Sequence, residues 1–124
     1  MLVVDASACV SFLIGDDDAD WVRERLRGES VLHAPALIDF EVGSALRSLN
    51  DRRRFVEAAE DLRAMRLVRH PGEPLLPRMW ELRGHLTAYD AAYVALAEAL
   101  EVPLVTLDRR LARAGGHAAA VEVP

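Results

Sequence analysis

Short apolar runs alternate along this chain with longer segments whose apolar positions recur every three or four residues, a pattern that predicts strands separated by helices. Leu2-Val3-Val4 reads as a short buried strand and Ala6 to Ile14 as a helix that Gly15 can terminate. Asp16-Asp17-Asp18 opens a second helix that runs to Arg27 and stops at Gly28. Acids at its start and Arg23, Arg25 and Arg27 near its end complement the helix dipole.

Val31-Leu32-His33 is the second predicted strand, and Pro35 suits the start of a helix over Ala36 to Leu49. On that helix Ile38, Val42, Ala45, Leu46 and Leu49 share one stripe. Glu41 falls on the flank of the stripe, about 100° from Val42, where it can reach the edge of a sheet. Leu37 and Phe40 lie on the far side and hint at a second contact surface. A further helix is predicted over Asp51 to Met65, then a third strand at Leu67-Val68-Arg69, a turn at Pro71-Gly72 and a helix over Glu73 to Gly84. Tyr89 to Leu100 is nearly all apolar and predicts the most buried helix. Val102 to Leu107, with Pro103 near its start, gives the fourth strand, Arg109 to Ala114 a short helix, and Ala119 to Val123 an edge strand. Strands alternating with helices imply an α/β fold, a three-layer α/β/α sandwich whose four- or five-stranded sheet is mainly parallel.

The 124 residues fit one domain spanning the whole chain, and the 52% apolar content excludes disorder. No apolar run approaches the roughly 20 residues that cross a bilayer, so no membrane partner is expected. The N-terminus enters a strand without an export signal, and the single Cys9 forms no internal disulfide, which makes a reducing cytoplasm the expected setting. The formal charge of −5 argues against nucleic acid at first sight. Its distribution changes that picture. All 15 basic residues are arginine, clustered at Arg52-Arg53-Arg54, Arg63/Arg66/Arg69 and Arg109/Arg110/Arg113, and the planar guanidinium suits bidentate phosphate contact. Arginine-rich codon usage on solvated helix faces explains the same clusters without a ligand.

Four carboxylates carry the candidate chemistry. Asp5 ends the first strand and Asp108 follows Leu104-Val105-Thr106-Leu107, so both stand where a buried strand hands over to a helix, the crevice where parallel sheets bind ligands. Each acid has an ordinary explanation. Asp5 and Asp108 can cap the helices that follow, Thr87 to Asp90 matches a capping box, and Glu41 can be a solvated flank residue. Together, however, they would converge on one sheet edge, and two carboxylates about 4 Å apart repel by around 4 kcal/mol at an effective dielectric near 20. A cluster of four then needs a divalent ion, and oxygen-only ligands select Mg²⁺ or Mn²⁺ over zinc. With such an ion the chemistry is an activated water attacking a phosphodiester in line. Competing signatures are missing: His33, His70, His85 and His117 lack HExxH spacing, no Walker or dinucleotide glycine motif occurs, and Ser7 and Ser11 lack a nucleophile elbow.

At these residues the chain resembles the PIN-domain family, in particular the VapC-type toxins of toxin–antitoxin pairs. The resemblance rests on Val4-Asp5-Ala6-Ser7, Glu41 followed by Ala45-Leu46, Thr87 with Tyr89-Asp90-Ala91-Ala92-Tyr93, and Thr106-Leu107-Asp108-Arg109-Arg110-Leu111. It implies Mg²⁺- or Mn²⁺-dependent endoribonuclease activity on an RNA substrate, a homodimer, and a cognate VapB-type antitoxin that plugs the active site. Asp5, Glu41, Asp90 and Asp108 match the acidic quartet, with Asp5 and Asp90 foremost as metal ligands. Ser7 and Thr106 match the small hydroxyl positions that orient a carboxylate. Arg109 and Arg110, beside Asp108, are candidate RNA phosphate contacts.

Two alternatives compete with the nuclease. A phosphoaspartyl enzyme of haloacid-dehalogenase or receiver type also places Asp after its first strand, but those families use a lysine and this chain has none. A non-catalytic interaction module would leave the acids as idle caps and work through faces such as Leu37/Phe40.

Overall fold

The computed structural model describes residues 1–124. The chain runs β1 (Leu2–Val4), α1 (Ala6–Ile14), α2 (Ala19–Leu26), β2 (Leu32–Pro35), α3 (Ile38–Arg47), α4 (Arg52–Ala64) and β3 (Leu67–His70). A 3₁₀ turn at Glu73–Leu75 then leads into α5 (Leu76–Glu81), α6 (Ala88–Leu100), β4 (Leu104–Val105), α7 (Arg109–Arg113) and β5 (Val121–Glu122). The strands form one five-stranded sheet in the order β3-β2-β1-β4-β5, and every pairing is parallel. The α/β class and the parallel sheet therefore stand as the sequence predicts, with β5 completing the fifth position.

The order reverses direction at β1. Chain progress runs outward from β1 through β2 to β3 on one side, and through β4 to β5 on the other. The crevice outside the carboxyl ends of β1 and β4 is thus the switch point where open α/β sheets bind ligands. Ladder bonds carry the alignment past the strands themselves: Val3 donates to the Pro103 carbonyl at 2.8 Å and Asp5 to the Val105 carbonyl at 2.9 Å. Those two bonds set Asp5 beside the Val105–Thr106 segment.

Several predicted boundaries shift, and the second helix begins at Ala19 instead of Asp16. Pro35 ends β2 instead of starting a helix, and α3 begins at Ile38. The reason is pairing: β1 engages β2 only at Leu32 and His33, so the missing N–H of Pro35 removes no bond to β1, while the Ala36 amide continues the β3 side at 2.8 Å from the His70 carbonyl. The predicted helix over Glu73 to Gly84 divides into the 3₁₀ turn and the short α5, with Pro77 in the first turn of α5. The strand predicted over Val102 to Leu107 narrows to Leu104–Val105.

Twenty-eight buried residues form one core cluster, including all of β1 and seven residues of α6. α6 packs on β1, β2 and β4, while α1 packs on α2, α3 and α4. Gly15 closes α1 in the left-handed region at φ 71°, donating to the Ser11 carbonyl, a conformation glycine adopts without a Cβ clash. On α3, Ile38, Val42 and Leu46 are buried, whereas Phe40 on the opposite face is exposed.

Candidate active site

Asp5 leaves β1 with its carboxylate nearly enclosed, and it does not cap α1. Its Oδ2 instead accepts from the Ser7 and Thr106 hydroxyls, each at 2.7 Å. The two hydroxyl oxygens are 3.2 Å apart; with both protons directed at Asp5, that approach is a contact and not a third bond. Each hydroxyl then accepts a backbone amide from the β4–α7 connection, Ser7 from Leu107 at 3.0 Å and Thr106 from Asp108 at 3.0 Å. Asp5 is thereby fixed to the far side of the switch point through two short bridges. Its Oδ1 takes no hydrogen bond within the chain and is the atom left for a ligand. The helix-capping explanation fails for this residue.

Glu41 enters from α3 and is held from α6, where the fully buried Tyr93 donates its hydroxyl to Oε1 at 2.7 Å. Burial pushes the Glu41 carboxyl above its ordinary value; the Tyr93 bond opposes that rise, and the Asp5 and Asp90 charges add to it. Asp90 sits in the first turn of α6, whose N-cap Thr87 accepts the Asp90 amide at 3.4 Å. Burial also raises Asp90, helped by the charges of Asp5 and Asp108 and opposed by Thr87 and Arg110. Asp5, Glu41 and Asp90 thus lie within one another's electrostatic reach, as do Asp90 and Asp108. Burial is the main cause of the two raised carboxyls, and the neighbouring acid charges add to it.

Asp108 behaves differently. It caps α7 by accepting the Arg110 amide at 2.9 Å, and the Arg110 guanidinium grips both oxygens, Nε to Oδ1 at 3.1 Å and Nη2 to Oδ2 at 2.9 Å. The guanidinium holds its carboxyl below the usual range. Capping and pairing both apply here, so Arg110 is committed to Asp108 while Arg109 projects from the first turn of α7 without an ion pair.

No three His, Cys, Asp or Glu side chains stand close enough to form a ready-made cage around one ion. The donor set nonetheless fits Mg²⁺ or Mn²⁺ in kind. It is all oxygen, and Mg²⁺ characteristically keeps several waters and takes only one or two carboxylates from the protein. Asp5 and Asp90 are the pair that would hold it: Asp5 presents a free, rigidly held oxygen, and Asp90 carries a charge that burial disfavours. Cys9 contributes no ligand here, because burial pushes its thiol up to about 12.

The PIN-domain model matches residues 2–117. The chain belongs to the PIN-domain family. Within it, ribonuclease VapC9 of Mycobacterium tuberculosis is 46% identical over 121 residues, 93% of this chain and 91% of that protein. The crystal structure of Mycobacterium tuberculosis VapC20, described as a sarcin-ricin loop cleaving toxin, superposes with a TM-score of 0.74 at 17% identity, covering 95% of this chain and 97% of that one. The Rickettsia felis VapBC2 complex, crystallised on a promoter DNA fragment, gives a TM-score of 0.71 at 15% identity over 98% and 97% of the two chains. Both structures share the fold of this PIN domain. The resemblance read from Asp5, Glu41, Asp90 and Asp108 is therefore a family relationship.

The role of Tyr93 was not visible as chemistry in the sequence. It lies in the most apolar helix and reads as core, yet its hydroxyl is what holds Glu41. The spacing Asp90 to Tyr93, three residues on one helix, is the signal that places both on the site side of α6.

Proposed function

We propose that this PIN domain is a Mg²⁺- or Mn²⁺-dependent endoribonuclease, the toxin of a VapBC-type pair. The observation that carries the reading is the Asp5 carboxylate. It is buried, it is withheld from helix capping, two hydroxyls orient it, and its charge acts on Glu41 and Asp90, two acids raised above their ordinary values. A bound cation would offset the burial and repulsion that raise Glu41 and Asp90.

A bound divalent ion supplies charge neutralisation at a phosphodiester and a lowered pKa for an attacking water. The chain's own residues do the rest. Ser7 and Thr106 fix the direction of Asp5 Oδ1. Tyr93 keeps Glu41 pointed at the edge and favours its ionised form. Glu41, with its raised carboxyl, is the group suited to accept a proton from the attacking water. Asp108, paired with Arg110, stays ionised, and the unpaired Arg109 beside them is the guanidinium left at the rim for an RNA phosphate.

Relatives that are named VapC ribonucleases, and the fold shared with a VapBC complex, support assigning RNA as the substrate and a VapB-type antitoxin as the partner. A homodimer and a cytoplasmic setting complete the proposal, and no helix is long and apolar enough to cross a membrane. The phosphoaspartyl alternative has no lysine for a phosphoryl group anywhere in the chain. The test is cleavage of total RNA by the purified protein: activity with Mg²⁺ or Mn²⁺ that EDTA abolishes is expected, and cleavage indifferent to EDTA would refute the cation's role.

A further inference from the structure

Two imidazoles meet where the edge strand β3 lies against β2. Nδ1 of His33 on β2 is 2.9 Å from Nε2 of His70 at the end of β3, with the rings 5.1 Å apart and tilted by 40°. Strand alternation explains the meeting. His33 lies opposite Val68, so His33, Val68 and His70 share one face of the sheet, while Arg69 turns to the other face and grips Asp39. Both backbones are fixed: His33 is paired with Val3 on one side and Val68 on the other, and the His70 carbonyl accepts the Ala36 amide at 2.8 Å. Both residues are half-buried. The outer nitrogens, His33 Nε2 and His70 Nδ1, make no bond within the chain and are not sealed from water.

We propose that His33 and His70 form a second cation site, for Zn²⁺, that staples the edge strand β3 to β2. It differs in kind from the acidic edge, since carboxylate oxygens suit Mg²⁺ or Mn²⁺ and imidazole nitrogens suit zinc. Zinc holds histidine at roughly 2.0–2.1 Å in tetrahedral geometry, which sets two such nitrogens about 3.3–3.4 Å apart. The pair therefore opens by roughly half an ångström, within the broad range of the imidazole χ2 torsions. Neutral rings supply the lone pairs. One proton lies between the two rings; on binding it moves to the outer nitrogen of its own ring, where water accepts it, so both imidazoles stay neutral and the ion replaces a hydrogen bond. Burial, the neighbouring imidazole and the Met1 ammonium all favour neutral His33, and Met1 is itself paired with Glu29 at 2.6 Å. No third His, Cys, Asp or Glu joins the pair, so waters complete the shell and the ion stays exchangeable. The inference is independent of the ribonuclease reading.

The test is titration of the full chain with Zn²⁺ in excess Mg²⁺, which competes for the acidic edge, followed by the ring-proton NMR signals of the four histidines and by thermal unfolding. The His33 and His70 signals should move together and saturate at one ion per chain while those of His85 and His117 stay in place. Tm should rise with Zn²⁺, because the folded chain alone presents the pair, and amide exchange in β3 should slow. His33→Gln and His70→Gln should each weaken zinc binding by at least about ten-fold, the lower end of what losing even an outer partner of a metal ligand costs. The Tm response to Mn²⁺ should be unaltered in both. Stationary His33 and His70 signals in the wild-type titration would overturn the site, and that result needs no variant to fold. So would wild-type zinc affinity in both glutamine variants, or a Tm rise that excess Mg²⁺ abolishes, since the zinc would then sit on the carboxylates.

Discussion

Thr106, fully buried at the end of β4, donates its hydroxyl to Asp5 Oδ2 at 2.7 Å and so ties together two residues 101 positions apart. The same oxygen accepts the Asp108 amide at 3.0 Å. One hydroxyl thus couples Asp5, the first of the four acids, to the backbone of Asp108, the last of them. Thr106→Val keeps the shape and removes both bonds, leaving a buried carboxylate short of one donor and an amide short of its acceptor. The expected cost is about 1–3 kcal/mol in urea unfolding, with most of it recovered in Thr106→Ser. A valine variant as stable as wild type would show that the bridge is idle.

The acids at the sheet edge should destabilise the ion-free protein. Glu41 and Asp90 are raised above their ordinary values, so the native state binds more protons than the unfolded chain between the ordinary and the raised value. Stability contributed by these two groups therefore falls as pH rises through that window and is regained as pH drops below it. Glu98, lowered by Arg78, runs the other way and loses its contribution as pH falls through its native value. In EDTA near neutral pH, Glu41→Gln, which can still accept from Tyr93, should raise Tm. Mn²⁺ should raise the wild-type Tm further and the variant's less. A lowered Tm in Glu41→Gln would contradict mutual repulsion.

Tyr93→Phe isolates the support of Glu41. The ring stays packed in α6, and Glu41 loses the bond that opposes its rise. The acid limb of the cleavage pH profile should move to higher pH, with a stability loss of about 0.5–1.5 kcal/mol. An unshifted profile would show that ionised Glu41 is not required.

Away from the site, Arg78 joins α5 to α6 and to the C-terminal segment. Its Nε and Nη2 each meet Glu98 at 3.0 Å, and Nη2 also reaches the Gly116 carbonyl at 3.0 Å. Arg78→Ala should cost about 1–2 kcal/mol in urea unfolding, since a bidentate pair and a carbonyl bond are lost together. Arg53→Ala removes an i,i+4 pair on the surface of α4 and should change stability by less than about 0.5 kcal/mol. Equal effects would deny Arg78 its joining role.

The sheet and the positions of Asp5, Glu41, Asp90 and Asp108 were legible because buried strands and a one-sided stripe leave strong periodic signals. Leu2-Val3-Val4 has only one reading, and the stripe of α3 puts Glu41 on its flank without further information. Pro35 was misplaced because its tolerance in β2 depends on which neighbour needs its N–H, a property of pairing that local sequence does not hold. The roles of the acids were also not separable from sequence. Asp5 and Asp108 look alike as residues after strands, yet Asp108 caps α7 and pairs with Arg110, while Asp5 turns away from α1 toward Ser7 and Thr106. That divergence comes from the ladder between β1 and β4, which sets Thr106 against Asp5. Tyr93 stayed hidden because a buried tyrosine and a buried phenylalanine have the same periodicity.

The orientation of Asp5 is proposed to serve RNA hydrolysis with a divalent cation. Its most direct test is cleavage of total RNA, with Mn²⁺ present, by wild type and by Asp5→Asn, which keeps the size of the side chain and loses its charge, with folding checked by circular dichroism. Wild type should cut, and a folded Asp5→Asn protein should lose at least about 100-fold, equivalent to roughly 2.7 kcal/mol of transition-state stabilisation. A folded Asp5→Asn protein that cuts RNA at the wild-type rate would contradict it.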